Sequence, residues 1–193
     1  MHDTGHLFQL LPTILPALRP KLPVPVVYNC GGYEQVETLR ALEGRVDIYL
    51  PDLKYYDSAL SARYSAAPDY FAVAAQALRE MFRQVGPVRF DENGMLQSGM
   101  VVRHLVLPGA HKDSLRLLNW LADNFSPEDI RLSLMSQYTP PAGIAIRELQ
   151  RPIFTYEYRK ACERAEELGF LGYTQQRSSA DAAYTPPFDG TGL

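Results

Sequence analysis

The chain has 193 residues, 46% of them hydrophobic and 21% charged, and carries a formal net charge of −3, the profile of one ordinary globular domain. That charge supplies no broad positive field for nucleic acid, and no apolar run approaches the roughly 20 residues of a membrane span. The start, Met1-His2-Asp3-Thr4, lacks the basic cluster and apolar stretch of a secretory signal, so a cytoplasmic protein without nucleic-acid or membrane partners is expected.

In chain order, His6–Leu18 has helical spacing at Leu7, Leu10, Leu11, Ile14 and Leu15, shortened or kinked by Pro12 and Pro16. An extended lead-in at Pro20, Pro23 and Pro25 feeds a first buried strand, Val24–Asn29, closed by Gly31-Gly32. Tyr33–Leu42 is predicted helical through Val36, Leu39 and Leu42. A second strand, Val46–Leu50, runs into Pro51-Asp52-Leu53-Lys54. Asp57 or Ser58 can cap a short helix, and Asp69 a longer one with Val73, Ala74, Ala77, Leu78, Met81, Phe82 and Val85 on one face. Asp91-Glu92-Asn93-Gly94 predicts a turn closing a small hairpin. Met100–Leu107 is a third core strand, and the helix after it turns Leu115, Leu118, Leu121 and Ala122 inward. Ile130–Met135 is a fourth strand, followed by the loop Gln137–Ile153 and a last helix, Thr155–Leu168, displaying Tyr158, Ala161, Cys162 and Ala165. Residues 1–173 are read as one domain and residues 174–193 as a Pro/Gly-rich tail with little regular structure.

Alternation of apolar strands and helices predicts an α/β fold: a parallel sheet covered by helices, its strands buried on both faces, as in a barrel or a doubly wound sheet. In either architecture chemistry gathers at the carboxyl ends of the strands. Asp52 and Lys54, two apart, point to one face of the strand exit, either as an internal ion pair at the barrel mouth or as ligand-binding groups. Arg103 sits between Val101-Val102 and Leu105-Val106-Leu107; its guanidinium needs Asp52, Asp47 or a substrate carboxylate. His104 alternates with Arg103 and should face a helix, and Gly31-Gly32 is either a close backbone approach or an ordinary loop. Cys30 and Cys162 are the only cysteines; they exclude a disulfide framework and a Cys-x-x-Cys site and cannot alone ligate an iron–sulfur cluster, and Cys162 falls on an apolar helical stripe.

The runs Val27-Tyr28-Asn29-Cys30-Gly31-Gly32-Tyr33, Asp47-Ile48-Tyr49-Leu50-Pro51-Asp52-Leu53-Lys54-Tyr55, Arg103-His104-Leu105-Val106-Leu107-Pro108-Gly109 and Met135-Ser136-Gln137-Tyr138 together resemble the radical S-adenosylmethionine (SAM) proteins related to pyruvate formate-lyase activating enzyme, in particular their uncharacterised iron–sulfur branch. The resemblance covers most of the chain up to about Gly172. It implies an incomplete parallel (β/α) barrel whose four strands correspond to the third to sixth of the family's partial barrel. It also implies a SAM pocket lined by Asn29, Cys30, Asp52, Lys54, Arg103 and Gln137.

In such enzymes a reduced [4Fe-4S] cluster injects an electron into SAM, and the resulting 5′-deoxyadenosyl radical abstracts hydrogen from a substrate, here a glycine on a glycyl-radical or other protein partner. The family's Cys-x-x-x-Cys-x-x-Cys loop and its Gly-Gly-Glu-type motif are absent from this sequence. The chain is therefore expected to be a fragment, a truncated reading frame or one piece of a split protein, inactive alone, with no catalytic or metal-ligating residue of its own. Its first strand should have an unpaired edge, open to a missing N-terminal half or to self-association. Two other readings use the same residues: a cluster-free binding or interaction module, and a barrel enzyme forming a Schiff base on Lys54.

Overall fold

The computed structural model describes residues 22–174. The helix expected over His6–Leu18 and, Thr174 apart, the tail of residues 174–193 lie outside the described residues. The elements are β1 (Val27–Cys30), α1 (Val36–Arg40), β2 (Ile48–Pro51), α2 (Ser58–Ser65), α3 (Tyr70–Val85), β3 (Arg89–Phe90), β4 (Leu96–Leu105), α4 (His111–Asn124), β5 (Arg131–Met135), a 3-10 turn (Arg147–Gln150), α5 (Thr155–Glu167) and β6 (Gly172–Thr174).

One sheet runs in the order β1-β2-β4-β5-β6, every neighbouring pair parallel, with β3 added as an antiparallel hairpin on β4. The sheet is open, with β1 at one end of the order and β6 at the other. The four expected strands are adjacent and parallel in chain order. The short β6 is a fifth parallel strand that periodicity did not reveal, because three residues are too few to show a period.

Register gives the sheet two different faces. Tyr28 pairs with Tyr49 and Tyr49 with Met100, while Val102 and His104 pair with Leu132 and Leu134. These side chains face the helices and, with Leu39, Leu78, Met81, Leu118 and Leu121, make up the core, apart from His104, which is buried there as a polar residue. Each fully buried Leu or Met there contributes about 1.5–3 kcal/mol relative to exposure. The alternate residues point the other way: Val27 is 52% exposed, Asn29 is exposed, and Leu50, Arg103, Arg131, Ser133 and Met135 are half-buried. The expectation of strands buried on both faces is thus corrected for β1 and β5, which alternate. On the central strands the second face is covered, since Ile48 and Val101, which share it, are both 6% exposed.

Local signals explain most boundaries. The Asp57 carboxylate accepts the Ala59 and Leu60 N–H groups at 2.8 and 3.4 Å, capping α2 as predicted. Asp69 stands at the N-cap of α3 but makes no capping bond; its carboxylate accepts the Tyr33 hydroxyl at 2.6 Å instead. The helix expected from Tyr33 shrinks to the five residues of α1. In α4 the inward stripe is Leu117, Leu118 and Leu121, with Leu115 only half-buried. No helix among the described residues is long and apolar enough to cross a membrane.

Candidate functional site at the strand exits

All five parallel strands deliver their carboxyl ends to the same rim, and the charged residues of that rim meet on the face opposite the core helices. Asp52 and Arg103 form an isolated parallel bridge just beyond β2, which brings their side chains side by side. Arg103 Nε donates to Asp52 Oδ1 at 2.8 Å, and Nη2 lies 2.6 Å from the same oxygen. Lys54 Nζ stands 3.7 Å from the other oxygen, Oδ2. One carboxylate is therefore bracketed by two cations, and the group carries a net positive charge. The side chains remain accessible, at 21% for Asp52, 27% for Arg103 and 45% for Lys54. Such a cluster can take the carboxylate and amino groups of a zwitterion, Lys54 offering the more exposed donors.

Asn29 lies on the same face, one pleat before Asp52 on the neighbouring strand, and is exposed. Gln137 is exposed two residues past the end of β5, on the same rim. Cys30 is set apart from these. Strand alternation turns it to the helix side, where it is buried in the core cluster. Burial, with the Glu34 carboxylate next to it, pushes its thiol well above the ordinary range. Burial likewise raises the Glu34 carboxyl, while the Cys30 thiol and the Gly31 and Gly32 N–H groups pull it back.

Tyr70, Asp113 and Glu157 also hold the rim together, and no pattern in the sequence marked their role. Tyr70, at the first turn of α3, is 4% exposed. Its hydroxyl lies 3.0 Å from the Gly31 and Asp52 carbonyl oxygens and accepts the Lys54 N–H at 3.0 Å. Burial pushes its ionisation far up, so the hydroxyl keeps its proton. Asp113 of α4 accepts the Tyr56 and Asp57 N–H groups, both at 2.9 Å, and pins the loop after Lys54; burial raises its carboxyl, and those N–H groups oppose the rise.

His104 faces the helix layer, as its alternation with Arg103 predicted. Nδ1 lies 2.7 Å from the Leu53 carbonyl and Nε2 2.8 Å from Ser114 Oγ. A carbonyl only accepts, so Nδ1 carries the proton and Nε2 accepts from the serine. Burial lowers His104 to about 4, which keeps it neutral. Glu157 of α5 accepts the Gly109 N–H at 2.6 Å, the Phe154 N–H at 2.8 Å and both Arg151 donors at 2.8 Å, locking the β4 exit to the start of α5.

Gly31-Gly32 proves to be a close backbone approach. Gly32 has φ +79°, and a Cβ there would overlap the Asp52 carbonyl oxygen. An iron–sulfur cluster has no comparable accommodation. Cys30 lies on β1 and Cys162 on α5, and no group of three or more His, Cys, Asp or Glu side chains suited to a metal occurs among the described residues. The residues present do not fit the cluster.

No family model matches the chain. It is 26% identical over 167 residues to an uncharacterised protein of Methanocaldococcus jannaschii, covering 85% of this chain and 44% of that protein. It is 24% identical over 153 residues to a lipoyl synthase of Kocuria rhizophila, covering 74% of this chain and 45% of that protein. The chain thus spans less than half the length of these curated relatives. Among solved structures it superposes on a domain of pyruvate-formate lyase-activating enzyme from Bacteroides vulgatus with TM-score 0.62 and 12% identity, over 88% of this chain and 91% of that one. The chain has the fold of that domain.

Proposed function

We propose that this chain forms the SAM-binding wall of a radical SAM protein acting on a protein substrate, a glycyl-radical partner being one such class. The observation that supports it best is the Asp52–Arg103–Lys54 cluster, two cations about one carboxylate at the strand exits. Lys54 and Arg103 suit the carboxylate of SAM, Asp52 suits its amino group, and Asn29 and Gln137 offer amide hydrogen bonds from the flanking exits. Bound SAM would supply the sulfonium chemistry; these side chains hold and orient its amino-acid end. No electron-transfer step is assigned to this chain, because its two cysteines do not fit a cluster.

That misfit favours a second reading, a module that keeps the SAM wall but not the radical chemistry. The Schiff-base alternative has less support. Lys54 is 45% exposed beside a carboxylate and is not the desolvated amine such chemistry uses. Isothermal titration of the full chain with SAM tests the main reading. Saturable binding that weakens about tenfold in Lys54→Ala, roughly the loss of one charge-assisted hydrogen bond, is expected; no saturation overturns it. Anaerobic reconstitution with iron and sulfide is expected to give no stoichiometric four-iron absorption.

A further inference from the structure

Three backbone groups at the rim converge on a single side-chain oxygen. The Tyr70 hydroxyl has one hydrogen and two lone pairs. It accepts the Lys54 N–H, and the Gly31 and Asp52 carbonyl oxygens share its proton, all at 3.0 Å. The Asp52 carbonyl and the Lys54 N–H belong to the two peptide groups flanking Leu53. One hydroxyl therefore clamps the stretch of backbone on which both charged side chains stand, and ties it to the exit of β1 through Gly31. Gly32 packs directly against the Asp52 carbonyl, closing the other side.

The ring itself cannot drift. Tyr70 stacks on Tyr33 with centroids 5.7 Å apart and a 16° interplanar angle, and meets Tyr55 edge-on at 5.5 Å. Strand pairing at this point does not need the hydroxyl. The Asp52 N–H reaches the Cys30 carbonyl at 2.9 Å and the Leu53 N–H reaches the Arg103 carbonyl at 2.8 Å. The hydroxyl adds direction rather than pairing.

We propose that Tyr70 is a positioning residue: by clamping the peptide groups on either side of Leu53 it holds the Lys54 amine against Asp52 at the rim. It does so without touching the ligand. Loss of the hydroxyl lets the Lys54 backbone turn, and the amine leaves its place 3.7 Å from Asp52 Oδ2.

The test compares the full chain with Tyr70→Phe, and with 3,5-difluorotyrosine incorporated at position 70, which keeps the ring and hydroxyl but weakens the oxygen as an acceptor. Acylation of lysines by an acetyl N-hydroxysuccinimide ester is followed by peptide mass spectrometry, with exposed Lys112 as the internal reference. A change of threefold or more in the Lys54 rate relative to Lys112 is expected in both proteins; an unchanged ratio in both overturns the proposal. A SAM arm rests on the proposed function: Tyr70→Phe should weaken SAM about tenfold yet add nothing in a Lys54→Ala background. Additive losses overturn the claim that Tyr70 acts through Lys54. Failure of the unaltered chain to bind SAM would remove the proposed function, and the labelling ratio would still decide the role of Tyr70.

Discussion

Arg103 and Asp52 are neighbours twice over, as backbone partners in a parallel bridge and as side chains joined at 2.8 Å. Of the sequence alternatives the structure shows the ion pair, which sits at the rim and remains accessible. Replacing Asp52 by Asn leaves the half-buried guanidinium without its carboxylate. Partial exposure limits the cost to about 1–2 kcal/mol, between a surface and a fully buried pair. A thermal melt of Asp52→Asn lower by several degrees, with the far-ultraviolet spectrum retained, is the expected outcome.

His104 makes stability depend on pH. Its folded value is about 4 against an ordinary value of 6.5, so between those limits the unfolded chain binds a proton that the native chain refuses. Stability is whole above the unfolded value, falls as pH drops from about 6.5 to about 4, and levels off below, a loss of about 3 kcal/mol from this residue. Urea midpoints at pH 7, 5.5 and 4.5 should therefore converge for the parent and His104→Gln proteins, the parent losing its advantage as acid is added. A parallel pair of curves would contradict the assignment.

Glu157 works in the opposite sense. The Arg151 guanidinium beside it, with the Phe154 and Gly109 N–H groups, holds its carboxyl down at about 2. Its contribution is present above the ordinary carboxylate range and is lost as pH falls toward 2. Glu157→Ala strands Arg151 and two backbone donors at once and should cost about 2–4 kcal/mol. Chemical denaturation at pH 7 measures it, and Arg151→Leu should cost less because the backbone donors keep their acceptor.

Gly32→Ala introduces a Cβ where the Asp52 carbonyl oxygen already sits, at a φ of +79° that disfavours any side chain. Strain alone is worth about 1–3 kcal/mol. The substitution should lower the melting temperature and abolish SAM binding together, whereas Gly31→Ala, with open space around the added carbon, should do much less.

Among the described residues β1 ends the sheet order, and Val24 just before it and Val27 within it are 58% and 52% exposed. An apolar edge of this kind invites pairing with another chain. The isolated polypeptide is expected to associate as its concentration rises, and Val27→Lys to shift it toward monomer by light scattering. A monodisperse monomer at all concentrations would oppose this.

Hydrophobic periodicity and turn chemistry by themselves determined the succession of the main strands and helices among the described residues, the hairpin at Asp91–Gly94, a cap at Asp57 or Ser58 and the opposite directions of Arg103 and His104. All of these depend on residues close in the chain, where a period of two or 3.6 reports directly which way a side chain points. The four rim sequences also carried the family resemblance, and Asp52, Lys54 and Arg103 did turn out to be in contact.

Only the tertiary structure decided that the sheet is open, that Asp52, Arg103 and Lys54 stay accessible at its rim, and that Cys30 turns away from the rim while Asn29 turns toward it. It alone revealed Tyr70, Asp113 and Glu157 as the residues holding the exit loops. Their partners are backbone N–H and carbonyl groups 16 to 57 positions away for Tyr70 and Asp113, and 48 positions away for the Gly109 N–H that Glu157 binds. Every residue type but proline offers the same peptide groups, so such bonds leave little mark on the identity of the residues they join.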